Sequence, residues 1–262
     1  MKKRIFLSVL LVVAMFSVSV AQTSQRESVQ DGLTGNVKKV AATLYEAVVD
    51  RDGDMQYGEQ LERTETLYNE KGQRRSMTFL NADESDILFR SRYKHDGFGL
   101  MTLEHIVDNH EQIIGRTYYV YDKNLTLSES YVEDAERQIE HRVIYKYDGS
   151  GRLVERSYND AKNNVYRREV YSYDFDGALH RTSVYDRSKT KILDHHYEYD
   201  AHQQPINVTT YDYTDEDAEV STTLYQYKYD SKGNWIQRTQ YVLEKDNAIP
   251  TFITNRKIEY FE

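Results

Sequence analysis

Five Tyr-Asp pairs recur along the chain: Tyr121-Asp122, Tyr147-Asp148, Tyr173-Asp174, Tyr199-Asp200 and Tyr229-Asp230. Their intervals are 26, 26, 26 and 30 residues. A fixed period of this length marks a repeat architecture, in which each unit completes its neighbour. A Tyr or Trp in such a chain is therefore a structural part before it is a candidate site.

The unit reads as a β-hairpin. Ahead of each Asp, apolar and polar residues alternate. Tyr225, Tyr227 and Tyr229 share one face, and Leu224, Gln226 and Lys228 the other, the period of a half-buried strand. After the turn the alternation resumes, with Leu179, Arg181, Ser183 and Tyr185 on one face and His180, Thr182 and Val184 on the other. Between the strands sits Asp-x-x-Gly, the composition of a type I turn followed by a left-handed Gly. Weaker copies lie at Tyr68 to Gly72 and His95 to Gly99, and Asp50 to Gly53 opens another. The total is about seven or eight hairpins, hence about 14–16 strands. The two prolines, Pro205 and Pro250, fall at turn or strand-edge positions, and no long amphipathic helix is evident.

The expected fold is all-β, an antiparallel meander of tandem hairpins over residues 37–262. Such a sheet must coil into an open spiral, fold into a sandwich or close on itself. Residue pattern alone leaves the three open; the expectation is a curled or coiled sheet, twisted by its strands and blunted at its last edge by Glu262.

The N-terminus predicts export. Met1-Lys2-Lys3-Arg4 precedes an apolar run to about Val20, and Ser19 and Ala21 are the small residues of a cleavage site, so residues 1–21 form a signal peptide. Residues 22–36 are a leader to the repeat domain. No Cys follows the signal, so no lipid attachment site exists, and the expected compartment is the periplasm or the exterior. Zero cysteines exclude disulfides, thiolate chemistry and Cys-ligated zinc. The whole chain carries −9; without the three basic residues of the signal, the mature part carries −12. An acidic surface repels phosphate backbones, so nucleic acid is not an expected partner.

Tyr-Asp-x-x-Gly-Arg-Leu, matched residue by residue from Tyr147 to Leu153, resembles the YD repeats of RHS-type proteins. Gly177-Ala178-Leu179 and Gly233-Asn234-Trp235 match in part, the units at Tyr121 and Tyr199 lack the Gly, and the resemblance covers about residues 60–262. Leu33 to Val40 also looks like the start of small exported Bacteroidetes repeat proteins, most without known function. The resemblance implies hairpin geometry. It also brings an association of some YD-repeat regions with carbohydrate, without any transferable binding residue.

Candidate sites are few. Trp235 with Tyr227, Tyr229 and Tyr241 is the densest aromatic cluster, able to stack on a sugar or simply to form the core face. Asp50 to Asp54 has calcium-loop composition, but Met55 and Leu61 stand where an EF-hand needs Gly and Glu, which leaves a hairpin turn; Asp174 and Asp176 read the same way. His195 and His196 are adjacent on a strand and point to opposite faces, so they do not share a metal. Asp212, Asp215, Glu216, Asp217 and Glu219 make an acidic loop, either solvated or gripping a cationic partner. No nucleophile elbow, metalloprotease helix or phosphate loop occurs. The expected function is a non-catalytic binding or scaffold module of the envelope, without cofactor or metal, for a glycan or an envelope protein. The alternatives are a glycosidase-like hydrolase, which needs two close carboxylates, and a toxin-neutralising protein. An outer-membrane barrel needs an outward apolar band that charged strands such as Arg152 to Tyr158 do not offer.

Overall fold

The computed structural model describes residues 27–82, 86–215 and 217–262. The expected signal peptide and Glu216 of the acidic loop lie outside them. A single helical turn, α1 (Glu27–Gln30), precedes the strands. The first eight are β1 (Val37–Val49), β2 (Met55–Tyr68), β3 (Arg74–Leu80), β4 (Ile87–His95), β5 (Met101–Val107), β6 (Ile113–Tyr121), β7 (Leu127–Asp134) and β8 (Ile139–Tyr147). The second eight are β9 (Leu153–Asp160), β10 (Val165–Tyr173), β11 (Leu179–Asp186), β12 (Lys191–Tyr199), β13 (Pro205–Asp212), β14 (Glu219–Tyr229), β15 (Trp235–Glu244) and β16 (Asn247–Tyr260).

Each strand pairs with the next in antiparallel order, and β16 returns to β1 through Val40↔Ile258, Ala42↔Arg256 and Leu44↔Thr254. The sheet is therefore a closed barrel, and the expectation of a curled or coiled sheet is corrected. Closure satisfies the N–H and C=O groups of both terminal strands, which an open meander would leave as edges. The last strand needs no blunting residue, because β1 covers it.

The turns follow the Asp pattern. Asp148 Oδ1 accepts the backbone N–H groups of Ser150 and Arg152, both at 2.9 Å, and Asp122 and Asp230 repeat the arrangement. Gly151 is left-handed at φ 79°. Leu125 and Gln203 occupy the same conformation at φ 61° and 60° in the two units without Gly.

Each Tyr-Asp turn is followed by a register shift. Tyr229 pairs with Trp235, but Lys228 pairs with Gln237; Tyr173 pairs with Leu179, but Ser172 pairs with Arg181. The extra residue is a β-bulge, and it reverses which face the following residues occupy. Leu179 therefore does not share the face of Arg181, Ser183 and Tyr185, contrary to the simple alternation.

Residues facing each other across a ladder share one surface, so the register sorts the wall. Tyr119, Tyr145, Arg156, Glu169 and Arg256 line the inside; Tyr118, Glu129, Tyr131, Arg142 and Asp194 line the outside. Extensive strand packing is confined to ladder neighbours. Barrels of about sixteen strands are wide enough for an aqueous lumen rather than a side-chain core.

Candidate functional site in the barrel lumen

The even-numbered strands bring their tyrosines to the lumen in tiers. Tyr68, Tyr121, Tyr147, Tyr173, Tyr199, Tyr229 and Tyr260 stand at the Tyr-Asp end of their strands. Two residues deeper come Tyr93, Tyr119, Tyr145, Tyr171, Tyr197 and Tyr227. Burial pushes the hydroxyls of Tyr147 and Tyr173 up to about 12 and raises that of Tyr119 further, so these three remain protonated donors at neutral pH.

In the deeper tier, hydroxyls bond to the second strand of the preceding hairpin. Tyr119 donates to Glu104 Oε2 (3.1 Å), Tyr145 bonds Ser130 Oγ (3.0 Å) and Tyr197 donates to Thr182 Oγ1 (3.2 Å). In these three the partner lies 15 residues upstream, whereas Tyr227 donates to Pro205 O (2.9 Å) and Tyr171 to Glu169 on its own strand. At Tyr171 that place is held by Arg156, whose guanidinium carbon lies 5.7 Å from both the Tyr171 and the Tyr145 ring. In the outer tier Tyr121 donates to Met101 O (2.9 Å) and Tyr173 to Leu153 O (2.7 Å), while Tyr229 and Tyr260 bond to the turn residues Asp200 and Asp230. The rings thus lie along the wall and their hydroxyls staple hairpin to hairpin.

A short N-terminal segment, here called the cork, lies at the Tyr-Asp rim. The segment from α1 to β1 runs from the β2–β3 turn, where Ser28 N–H donates to Gly72 O (2.9 Å), to the β14–β15 turn, where Thr34 N–H donates to Asn234 Oδ1 (2.7 Å). Glu27 accepts Arg74 N–H (2.7 Å) and meets His95 Nε2 (2.7 Å). Asp31 holds the Arg74 side chain and the Tyr68 hydroxyl. Leu33, Val37, Val40 and Tyr68 pack beneath as the most buried apolar cluster.

The aromatic cluster is divided by the wall. Trp235, Tyr227 and Tyr229 face the lumen, with Tyr227 edge-on to Trp235 at 6.0 Å. Tyr241 faces outward, its hydroxyl donating to Gln226 Oε1 (3.0 Å), because the bulge at Trp235 reverses the alternation. Trp235 is only 8% exposed, and the Arg256 guanidinium carbon sits 3.4 Å from its ring. Arg238 approaches the same indole at 5.4 Å. The face that would meet a sugar is thus occupied by a cation.

The outer wall carries charge. Ion pairs join Arg142 to Glu129, Arg168 to Glu155 (3.8 Å), Lys39 to Glu65 (2.9 Å) and Arg181 to Asp194. Asp194 also accepts Ser183 Oγ (2.7 Å) and Lys191 Nζ (3.1 Å), and these donors hold its carboxyl well below the usual range despite burial.

A solved structure shares this architecture. The chain is similar in fold to a porin-like protein from Bacteroides uniformis, with a TM-score of 0.57 at 12% identity, covering 85% of this chain and 98% of that one. A porin-like protein from Bacteroides vulgatus overlays more loosely, with a TM-score of 0.26 at 11% identity over 87% of this chain and 99% of that one. At these identities the likeness concerns the fold alone, and the looser overlay carries no argument. No family model matches the sequence, nor does any curated protein. The YD-repeat resemblance gains no support from the comparisons.

The remaining sequence candidates fall where geometry separates them. His195 faces the lumen and meets Thr210 Oγ1 (2.9 Å), whereas His196 faces outward against Tyr211. Asp50 Oδ1 accepts the N–H groups of Asp52 (3.0 Å) and Asp54 (2.9 Å) as a turn residue. Asp174 accepts Ala178 N–H (2.8 Å) in the same role, and Asp212 caps Thr214 at the start of the acidic loop. Residue pattern missed the lumenal arginines Arg156, Arg238 and Arg256 and the cork. A signal for the arginines was available: charged residues opposite Tyr on a strand face that contains the tyrosines.

Proposed function

We propose that this chain is a non-catalytic binding barrel of the cell envelope, whose tyrosine-lined lumen receives a hydroxyl-rich ligand of the glycan class. The observation that carries the reading is the contrast between the two surfaces. The lumen presents tiers of aromatic rings with polar tips, the chemistry that suits sugars and other amphipathic polar ligands. The outside presents a belt of ion pairs at mid-strand.

That belt supports a water-facing barrel over a membrane pore. A lipid-facing wall needs an apolar band about 25 Å tall, and each Arg or Lys at its midplane costs about 2–4 kcal/mol. Arg142, Arg168 and Arg181 lie in the middle of β8, β10 and β11, facing outward. The barrel is read as water-facing on both surfaces, exported by its N-terminal signal and entered from the end opposite the cork.

The test is a screen of the purified protein on immobilised bacterial and host glycans, paired with detergent phase partitioning. Specific glycan retention with recovery in the aqueous phase supports the reading. Recovery in the detergent phase with ion conductance in planar bilayers would replace it with a pore. A blank glycan screen would direct the search to protein partners.

A further inference from the structure

Arg256 is an unmatched cation inside the barrel. It lies on the lumenal face of β16, over the Trp235 ring, and among the described residues no carboxylate or carbonyl bonds to its Nε or Nη1. Its Nε and Nη1 are buried without a hydrogen-bond partner. Arg238 directly faces Thr254 in the ladder, which makes it the diagonal neighbour of Arg256 on the same surface. Two guanidiniums therefore flank one indole. The nearby carboxylate of Asp31 is already committed to Arg74 and Tyr68. Glu62, also lumenal, is pushed up by burial alone and has no cation among its perturbing neighbours.

Proteins do not keep like charges side by side in a half-enclosed site without compensation, and an unmet buried guanidinium costs more than an unmet neutral donor. Arginine is also the side chain best shaped to receive a planar oxyanion, and stacking on an indole fixes its plane in advance. We infer that Arg256 and Arg238 form an oxyanion seat in the lumen, for a carboxylate or sulfate group carried by the ligand. The inference rests on the lumen being the binding site proposed above. It narrows the ligand from a glycan in general to an acidic one, such as a uronate or a sulfated sugar.

Trp235 is the chain's only tryptophan, so its emission reports on this seat alone. The protein, produced from the full-length chain, is titrated at constant ionic strength with oligogalacturonate, with its methyl ester and with sodium sulfate. The expected result is a saturable change in Trp emission with oligogalacturonate and with sulfate, and none with the ester. Arg256→Gln should weaken both responses at least tenfold, Arg238→Gln should weaken them less, and the outward Arg142→Gln should leave them unchanged. Arg256→Gln relieves like-charge repulsion, so its melting temperature should not fall, and equilibrium dialysis checks binding independently of the fluorophore. A wild-type protein blind to both anions, or one whose response survives Arg256→Gln, overturns the seat. Equal binding of acid and ester, untouched by Arg256→Gln, overturns the seat but leaves the glycan reading standing. A response to sulfate alone, lost in Arg256→Gln, upholds the seat and removes the sugar.

Discussion

Asp31 takes the side chain of Arg74 through both Nε, at 2.8 Å, and Nη2, tying the N-terminal cork to the rim of β3. Asp31→Asn keeps the size and removes the charge, leaving Arg74 without its counter-ion. Breaking a fully buried pair costs about 3–5 kcal/mol; with both partners partly exposed here, about 2 kcal/mol is expected. Urea denaturation measures it. Adding Arg74→Gln should recover part of the loss, since no uncompensated charge then remains.

The bond of Tyr145 to Ser130 makes a second test. Tyr145→Phe should lower stability by about 1 kcal/mol, the net worth of one such hydrogen bond. A double-mutant cycle with Ser130→Ala should show coupling of similar size, whereas Tyr145 and Ser183, on opposite surfaces, should be additive.

Leu125 adopts a left-handed conformation with its side chain 40% exposed. The strain of a non-Gly residue there is about 1–2 kcal/mol, partly offset by the chain entropy that Gly forfeits. Leu125→Gly should therefore stabilise by about 0.5–1 kcal/mol, and Gly151→Ala should destabilise by a similar amount. Thermal melts of the two variants should move in opposite directions.

Acid should weaken the barrel in two stages. Burial lowers His141 and His195, so the folded state resists protonation that the unfolded chain accepts below about 6.5. Stability then falls as pH drops through that value. Backbone N–H groups and neighbouring side chains hold Asp148 and Asp160 below their ordinary range. Their contribution is complete above about pH 4 and disappears as pH falls further. Glu62 works in the other sense, being raised by burial, but is a single group. Melting temperature against pH should show both descents, and His141→Gln with His195→Gln should flatten only the first.

Much of this architecture is readable from residue spacing, and the failures have physical causes. The Tyr-x-Tyr-Asp pattern gives strand, face and turn, because period two and Asx-turn chemistry are local. Closure is not local: it depends on β1, which has no Tyr-Asp pair, matching β16 more than 200 residues away. The division of Trp235 from Tyr241 is hidden from the sequence because counting in twos assumes an unbroken strand, and the bulge at Ile236, between Trp235 and Gln237, breaks it. Arg156 and Arg256 are not legible as lumenal residues because charge is expected outside, a rule that a wide hydrated lumen suspends.

Val37 pairs with Tyr260, so the first and last strands begin and end side by side at the same rim. All other ladders join strands adjacent in the chain. The barrel is in this sense a loop of interchangeable staves, cut at one arbitrary seam. Joining residue 262 to the cork and opening the chain at any other turn would leave the same staves in the same order, so a circularly permuted chain should close into the same barrel.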